Sequence, residues 1–280
     1  MNKEKIYTII KNILPPIFFN FLIRSFVYRY VKRLVAKILP NKYNPSWKQV
    51  RNGLLSGINI YTTEGSPIDD MFEKNHDTAM FAFIKEGMNI FDVGAHVGYD
   101  SMCFSKISRT GKIVSYEPNI FNLERMKLIL SKNKDLESNI IINNIALSDT
   151  QKHIDFIFTD NIEGGTSSGS FTDDADTLFP KDSYEKLGGF RRVQVRTDSL
   201  DNQIYQIGIK PDVIKIDVEG AESIVLNGAK ETLKNIKPLL LIEIHSIRNM
   251  FDVYTLLIGY NYKIEIIKQE KDGRCFIKAE

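Results

Sequence analysis

The segment IFDVGAHVGYDS, residues 90–101, is the strongest indication of fold class in this chain. Its apolar start predicts a short buried strand, and the residues from Tyr99 onward predict a helix. Gly94 and Gly98 lie between them, where glycine allows a tight turn and a close approach of a ligand to the backbone. A strand, a glycine turn and a helix in direct succession are typical of the first unit of an open α/β sheet.

The same alternation of apolar runs and helical periodicity extends over most of the chain. Two strand-like runs near its end are separated by Lys271-Asp272-Gly273, which predicts a hairpin. We therefore expect an α/β fold built on a mainly parallel, doubly wound sheet that ends in an antiparallel hairpin. The predicted strands are 88–93, 112–117, 140–147, 213–218, 238–245, 262–267 and 275–278, and the predicted helices are 99–107, 120–132 and 222–234.

Composition places the chain among soluble globular proteins. Its 280 residues are 43% hydrophobic and 26% charged, which excludes a disordered chain and a multi-span membrane protein. The two cysteines, Cys103 and Cys275, are too few for a disulfide framework or a zinc cluster, so we expect a reducing, cytoplasmic location. Cys103 falls at a core position of a predicted helix, and we expect it to pack there.

The charge is divided unevenly along the chain. Residues 1–51 carry eleven lysines and arginines against one acid, Glu4; because the whole chain has a formal net charge of +2, residues 52–280 carry −8. We interpret residues 1–51 as a basic arm and residues 52–280 as the main domain. After Pro15-Pro16, apolar residues of the arm recur at helical spacing, which predicts a basic amphipathic helix.

Two interpretations of this arm stay open. A basic amphipathic helix with an aromatic face can lie in a membrane interface, which would put the protein on the inner face of the membrane. Alternatively, the helix caps the main domain or docks on a partner subunit. No stretch has the ~18 uninterrupted apolar residues of a spanning helix. Nucleic acid is not an expected partner, because the basic residues alternate with large aliphatic ones, and the sequence gives no oligomeric state.

A polar stretch at about residues 159–190 interrupts the regular pattern. It is rich in glycine, serine and aspartate, and loops of this length inside a compact domain are usually functional or disordered. We predict a substrate-facing insertion within the main domain. The alternative is a surface loop without a role.

The glycine turn indicates which ligand the sheet binds. Gly94 and Gly98 are spaced as GxxxG, unlike the GxGxxG of a dinucleotide-binding loop, which disfavours a NAD-dependent dehydrogenase. The chain also lacks the Gly-Lys-Ser/Thr of a phosphate-binding loop. Glu117, at the end of the second predicted strand, is placed to accept hydrogen bonds from a ribose diol. An adenosine ligand without a pyrophosphate satisfies these observations, and S-adenosylmethionine is such a ligand.

Three further motifs follow the glycine turn: Glu117-Pro118-Asn119, NIALSD at 144–149 and IKIDVEGAE at 214–222. In this order and spacing, the motifs resemble the FkbM family of S-adenosylmethionine-dependent methyltransferases, over about residues 61–268. The resemblance implies the class I methyltransferase fold, which is Rossmann-like with seven strands, and methyl transfer from S-adenosylmethionine. The basic arm lies outside it.

The resemblance also assigns the cofactor-binding residues. It maps the ribose to Glu117 and the adenine edge to Ala146 and Leu147. Asp217 is also a candidate cofactor-binding residue, because it comes close to the methyl group if the fourth and fifth strands are neighbours. His96 departs from the pattern, because most relatives have asparagine there. The residues mapped to the methionine part of the cofactor are Asp92, Gly94, Ala95, His96 and Gly98.

Charged side chains at the ends of the fourth and fifth predicted strands are the candidates for catalysis. A buried parallel strand should be apolar on both faces, so charges at the C-terminal sheet edge indicate a site. We expect Lys215 and Glu222 to form a structural ion pair, and Asp217, Glu219 and His245 to be catalytic. At period two, Lys215, Asp217 and Glu219 share one face of the fourth strand, and Glu243 and His245 share one face of the fifth.

Two mechanisms for removing a proton from the acceptor hydroxyl stay open. His245 can act as a general base near neutral pH without a large pKa shift. Alternatively, Asp217, Glu243 and His245 bind a divalent cation, Mg²⁺ or Mn²⁺, that lowers the pKa of a coordinated hydroxyl.

The leading hypothesis is an O-methyltransferase that acts on a sugar hydroxyl of a polysaccharide or a lipid-linked glycan precursor. The glycan follows from the commonest substrates of the family and from the membrane interpretation of the arm. The alternatives are a methyltransferase of a small secondary metabolite and a membrane-associated scaffold with a non-catalytic cofactor pocket. The scaffold is disfavoured, because Gly94, Gly98, Glu117 and Asp217 are all present.

Overall fold

The computed structural model describes residues 45–74, 78–159, 171–172, 190–270 and 273–280. The predicted arm helix and all but a few residues of the predicted insertion lie outside the described residues. Among the described residues, no helix is both long and apolar enough to cross a membrane.

The described residues form thirteen strands, eight α-helices and one π-helical turn, Thr232–Ile236. The strands are β1 (Ser46–Gln49), β2 (Asn59–Thr62), β3 (Ile90–Val93), β4 (Ile113–Tyr116), β5 (Ile140–Asn143), β6 (Ala146–Ser148), β7 (His153–Thr159), β8 (Phe171–Thr172), β9 (Phe190–Ser199), β10 (Val213–Ile216), β11 (Leu239–Ile244), β12 (Ile264–Gln269) and β13 (Cys275–Ala279). The helices are α1 (Pro67–Glu73), α2 (Thr78–Phe81), α3 (Tyr99–Ser108), α4 (Ile120–Lys132), α5 (Lys134–Glu137), α6 (Leu200–Ile207), α7 (Glu222–Asn227) and α8 (Ile247–Gly259).

A seven-stranded sheet in the order β12-β13-β11-β10-β3-β4-β5 forms the centre of the fold. The pairs from β11 through β10, β3 and β4 to β5 are parallel. Strand β13 runs antiparallel to both β11 and β12. The predicted α/β fold, a mainly parallel seven-stranded sheet with a terminal antiparallel hairpin, is therefore confirmed.

Helices cover both faces of this sheet, which is why most residues of its parallel strands are apolar; Asp92, Lys215 and Glu243 are buried charged exceptions. On one face, Phe91 and Val93 of β3 belong to the same buried cluster as Val225 of α7 and Leu257 of α8. On the other face, helices α3 and α4 bury Cys103 and Met126 together with Ile60 of β2. Cys103 therefore packs in the core, as the sequence predicted.

Two predicted elements are divided in the structure. The strand predicted at 140–147 ends at Asn143 and resumes as β6, which pairs with β9 in a second sheet of order β6-β9-β7-β8. Asn144 lies at the break, where its side-chain amide donates to the carbonyls of Glu117 and Pro118. The helix predicted at 222–234 stops before Gly228, where any Cβ would lie 2.0 Å from the carbonyl oxygen of Ser148.

Helix α8 was not predicted from the sequence. Its first turn is capped by the Ser246 hydroxyl, which accepts a hydrogen bond from the Asn249 amide. Val253 and Leu257, four residues apart, bury one side of the helix against the sheet. A serine cap followed by apolar residues at this spacing is the signal that predicts such a helix.

The amino-terminal strands β1 and β2 form an antiparallel hairpin. Lys48 of β1 forms ion pairs with Asp69 and with Glu73, the latter at 3.0 Å, and Val50 is buried. Residues 46–50, which the charge count assigned to the basic arm, therefore pack on the main domain.

Candidate functional site

A cavity of about 560 Å³ lies where β3, β4, β10 and β11 end, at the sheet edge where open α/β folds bind ligands. Asp92, Gly98 and His245 are not part of its lining. The assigned residues that do line it are Gly94, Ala95, His96, Glu117, Ala146, Leu147, Asp217, Glu219 and Glu243.

The two glycines of the turn are required by the packing of the protein itself. Gly94 has φ +83°, and a Cβ on it would lie 1.8 Å from the backbone oxygen of Asp217. Gly98 has φ +85°, and a Cβ there would lie 2.6 Å from Cγ of Met126. A larger residue at position 94 would therefore collide with the backbone of Asp217, directly after β10, whether or not a ligand is bound.

Lys215 is a buried cation that joins the carboxylates behind the glycine turn. Its Nζ lies 3.3 Å from Asp92, 3.2 Å from Asp100 and 3.6 Å from Asp217, and it donates to the Gly94 carbonyl at 3.1 Å. Burial lowers the pKa of Lys215, but the charges of Asp92, Asp217 and Asp100 outweigh it, and the pKa is raised well above its ordinary value. Asp92 therefore positions the turn through Lys215 and does not face the cavity.

Glu117 presents its carboxylate at the cavity wall. Its Oε2 accepts from the backbone N–H of His96 at 2.8 Å, and its Oε1 accepts from that of Asn119 at 2.7 Å. Burial raises the pKa of Glu117 to about 7. Oε1 also accepts from the Asn122 side-chain amide at 3.4 Å, whereas Oε2 keeps a second lone pair that can accept a hydrogen bond from a ribose hydroxyl.

His96 contributes its backbone to this arrangement. It has φ +54°, and this left-handed conformation accompanies the donation of its N–H to Glu117. Burial lowers the pKa of His96 to about 4, so its imidazole is neutral at physiological pH.

Ala146 and Leu147 line the cavity together with a residue that sequence reasoning missed, Phe156 of β7. Its ring is buried and stacks on Phe158, with ring centroids 6.3 Å apart. Because β6 and β7 meet only through β9, no local spacing in the sequence brings these residues together.

Four carboxylates surround the imidazole of His245. Its Nδ1 lies 2.8 Å from Oε1 of Glu222. Its Nε2 lies 3.6 Å from both Asp217 Oδ1 and Glu219 Oε2, and 3.8 Å from Glu243 Oε1. The structure therefore brings together the residues predicted to be catalytic. The predicted ion pair between Lys215 and Glu222 is wrong, because Lys215 pairs with aspartates and Glu222 pairs with His245.

The predicted near-neutral pKa of His245 is wrong. Burial alone would lower its pKa, but the hydrogen bond to Glu222 and the charges of Glu222, Asp217 and Glu219 outweigh burial and raise the pKa to about 10. With this pKa the metal-free site holds His245 as an imidazolium at neutral pH, and an imidazolium cannot accept a proton.

The carboxylates of this cluster differ in their own ionisation. Burial raises the pKa of Glu219 to about 7 and that of Glu243 to about 8. Sequence reasoning also missed Arg274, which directly precedes β13. Its guanidinium donates a hydrogen bond to Glu243 Oε1, with a donor–acceptor distance of 2.7 Å. One donor atom each from Asp217, Glu243 and His245 lie within 4.8 Å of one another, which makes these three residues candidate metal ligands.

Comparison with known proteins agrees with this geometry. The methyltransferase FkbM domain matches residues 92–264, more than half of the chain. The chain belongs to the FkbM methyltransferase family. The predicted resemblance is thus confirmed, and the predicted enzyme class, a methyltransferase, is that of the family.

Individual relatives of this FkbM family member are distant. The 2-O-methyltransferase NoeI of Sinorhizobium fredii (strain NBRC 101917 / NGR234) is 28% identical over 159 residues, which are 51% of this chain and 58% of NoeI. The crystal structure of methyltransferase FkbM from Methylobacillus flagellatus KT has a TM-score of 0.53 at 16% identity and covers 73% of this chain and 46% of that one. The chain therefore spans about half the length of these two relatives. The structural match confirms the class I methyltransferase fold.

Proposed function

We propose that this protein is an S-adenosylmethionine-dependent O-methyltransferase that methylates a sugar hydroxyl of a glycan or glycan precursor. The observation that carries the proposal is a single cavity that contains both a cofactor-type wall and an acidic wall. Glu117, Ala146, Leu147 and Phe156 supply the first wall. The second holds Asp217, Glu219 and Glu243.

Electrostatics favour this cofactor at this place. S-adenosylmethionine carries a sulfonium cation. Burial acts to raise the pKa of Asp217, but the positive charges of Lys215 and His245 outweigh burial and lower it, so the carboxylates of the cavity include an ionised one that attracts positive charge more strongly than in water. Methyl transfer removes this positive charge from sulfur. The same carboxylates accept hydrogen bonds from hydroxyl groups, which suits a carbohydrate acceptor.

Transfer to oxygen is supported by the relative named as a 2-O-methyltransferase. When no cation is bound, His245 is an imidazolium and cannot accept the proton of the acceptor hydroxyl. The proton would then leave through the carboxylate groups of the cavity. Alternatively, a bound divalent cation would lower the pKa of the hydroxyl. The basic arm within residues 1–51 would hold the protein at the inner face of the membrane, near a lipid-linked acceptor.

Calorimetric titration with S-adenosylmethionine tests the cofactor half of the proposal. Glu117→Gln should weaken binding by about 10- to 100-fold, the effect of losing hydrogen bonds to a charged group. Glu137→Gln, which changes an exposed acid of α5, is the matched control and should bind like the wild type. Equal affinities of both variants would contradict the assignment of Glu117.

Transfer of a labelled methyl group tests the acceptor half. Methyl glycosides of common hexoses and 6-deoxyhexoses are compared with their 2-deoxy analogues and with small phenolic alcohols. We expect label in the sugars and less label in the 2-deoxy compounds. Label in the phenolic compounds alone would favour the secondary-metabolite alternative, and no cofactor binding at all would favour the scaffold.

A further inference from the structure

The imidazole of His245 has one nitrogen without a hydrogen-bond partner in the part of the chain that the structure describes. His245 is 1% exposed, and its buried Nε2 has no hydrogen-bond partner among the described residues. A buried polar atom without a partner costs free energy comparable to a lost hydrogen bond, so in native proteins such an atom usually contacts a protein group, a water molecule or an ion. The other nitrogen, Nδ1, is bound to Glu222 at 2.8 Å.

The distances around Nε2 are those of donors that share a cation. Asp217, Glu219 and Glu243 each present an oxygen 3.6–3.8 Å from Nε2, beyond hydrogen-bond range. Ligands bound about 2.1 Å from one metal ion lie roughly 3–4 Å from each other, depending on coordination geometry. One donor atom each from Asp217, Glu243 and His245 also lie within 4.8 Å of one another, so these three side chains face a common space without hydrogen bonds between them.

Residues behind the cluster orient the imidazole. Glu222 is fully buried, and it accepts hydrogen bonds from the Gly220 N–H at 3.0 Å and from the Asn249 side-chain amide. Glu222 in turn fixes Nδ1 of His245, which leaves Nε2 directed at the carboxylates. A carboxylate that holds the distal nitrogen of a histidine is the arrangement that orients metal-binding histidines.

From this geometry we infer that Asp217, Glu243 and His245 bind a divalent cation, with Glu222 as the residue that orients His245. The carboxylate oxygens of Asp217 and Glu243 favour Mg²⁺ or Mn²⁺, whereas an imidazole favours softer transition metals. Mn²⁺ is the ion that accepts both kinds of donor. Two basic groups also contact the cluster: Arg274 lies 2.7 Å from Glu243 Oε1, and Lys215 Nζ lies 3.6 Å from Asp217 Oδ2.

The role of the cation rests on the proposed function. Asp217, Glu219 and Glu243 line the cavity, so a coordination position that protein ligands leave open would bind the acceptor hydroxyl and lower its pKa. The hydroxyl proton goes to a carboxylate or to water. A bond then forms between the acceptor oxygen and the methyl carbon, and the carbon–sulfur bond breaks with its electron pair on sulfur, giving S-adenosylhomocysteine.

Titration of the metal-stripped full-length protein with MnCl₂ tests the site, with calorimetry and the electron spin resonance signal of free Mn²⁺ as readouts. We expect one Mn²⁺ per chain, and binding at least about 10-fold weaker in His245→Gln and in Asp217→Asn. His153→Gln, at an exposed histidine of β7, is the matched control and should bind like the wild type. Circular dichroism of each variant checks folding, and MgCl₂ is titrated in parallel.

Each outcome has a distinct meaning. Wild-type protein that takes up neither Mn²⁺ nor Mg²⁺ at millimolar concentration overturns the inference, as does binding that His245→Gln and Asp217→Asn leave unchanged. Because binding is read without cofactor or acceptor, Mn²⁺ binding without methyl transfer would count against the proposed function alone. Methyl transfer that persists in excess chelator would count against the catalytic role of the cation alone.

Discussion

Single buried charges explain why the site residues hold their positions. Lys215 is 3% exposed and offsets Asp92, which is fully buried, so neither charge is left alone in the core. Removing one partner of a buried pair leaves the other uncompensated, which costs about 3–5 kcal/mol. Asp92 is therefore a positioning residue: it holds Lys215, and Lys215 holds both Asp217 and the Gly94 carbonyl.

The raised pKa of Glu117 predicts how cofactor affinity depends on pH. In the free protein the carboxyl has a pKa of about 7 because it is buried, whereas a ribose diol donates to the ionised form. Binding therefore releases a proton below pH 7. By linkage, the affinity for S-adenosylmethionine should rise by up to about tenfold per pH unit as pH increases toward 7 and level off above it. Calorimetry between pH 5.5 and 8.5 measures this curve.

The Glu117→Gln variant separates this effect from titration of the cofactor itself. Glutamine does not ionise, so the difference in binding free energy between wild type and variant should shrink as pH falls. A difference that stays constant across the range would show that Glu117 does not titrate on binding.

Among the secondary-structure elements, the contact between α3 and α4 depends on a glycine, Gly98, at the start of α3. Gly98 begins α3 with φ +85°, and a Cβ on it would lie 2.6 Å from Met126 of α4. Gly98→Ala adds about 1–2 kcal/mol of left-handed backbone strain and about 1–3 kcal/mol of overpacking. We expect the variant to unfold at a lower urea concentration than the wild type, with an unchanged slope.

Gly208→Ala is the matched control for that experiment. Gly208 ends α6 with φ +72°, but no atom lies within 4 Å of its added Cβ. It should therefore lose only the strain component, about 1–2 kcal/mol. If Gly98→Ala costs no more than Gly208→Ala, Met126 moves aside freely and the helix contact is not tight.

Across the whole molecule, the sequence predicted the features that neighbouring residues encode. It missed the residues that reach the cavity through pairing between strands distant in sequence. The glycine turn, the strand ends at Glu117 and Asp217, and the terminal hairpin are encoded by neighbouring residues, and they were predicted. Phe156 and Arg274 reach the cavity only because β7 pairs with β9 and β13 pairs with β11.

The pKa of His245 was also beyond sequence reasoning. It depends on Glu222, Asp217 and Glu219, which lie more than twenty residues earlier in the chain and meet the imidazole only in the folded protein. The spacing of the residues predicted the correct sheet edge. The raised pKa, however, follows from carboxylate oxygens that lie 2.8–3.8 Å from the two ring nitrogens of His245.

The pairing of β1 with β2 determines how much of the basic arm can be deleted without removing part of the domain. Residues 46–49 pair with β2, and Lys48 binds Asp69 and Glu73, so a deletion of residues 1–50 would remove part of the domain. Deletion of residues 1–44 should keep the melting temperature and the affinity for S-adenosylmethionine, and it should abolish sedimentation with anionic liposomes, which attract basic segments at about 1 kcal/mol per lysine or arginine. The deletion of residues 1–50 is the comparison and should melt earlier. Full-length protein that ignores anionic liposomes, or a 1–44 deletion that still binds them, would assign the arm to packing on the domain or on a partner subunit.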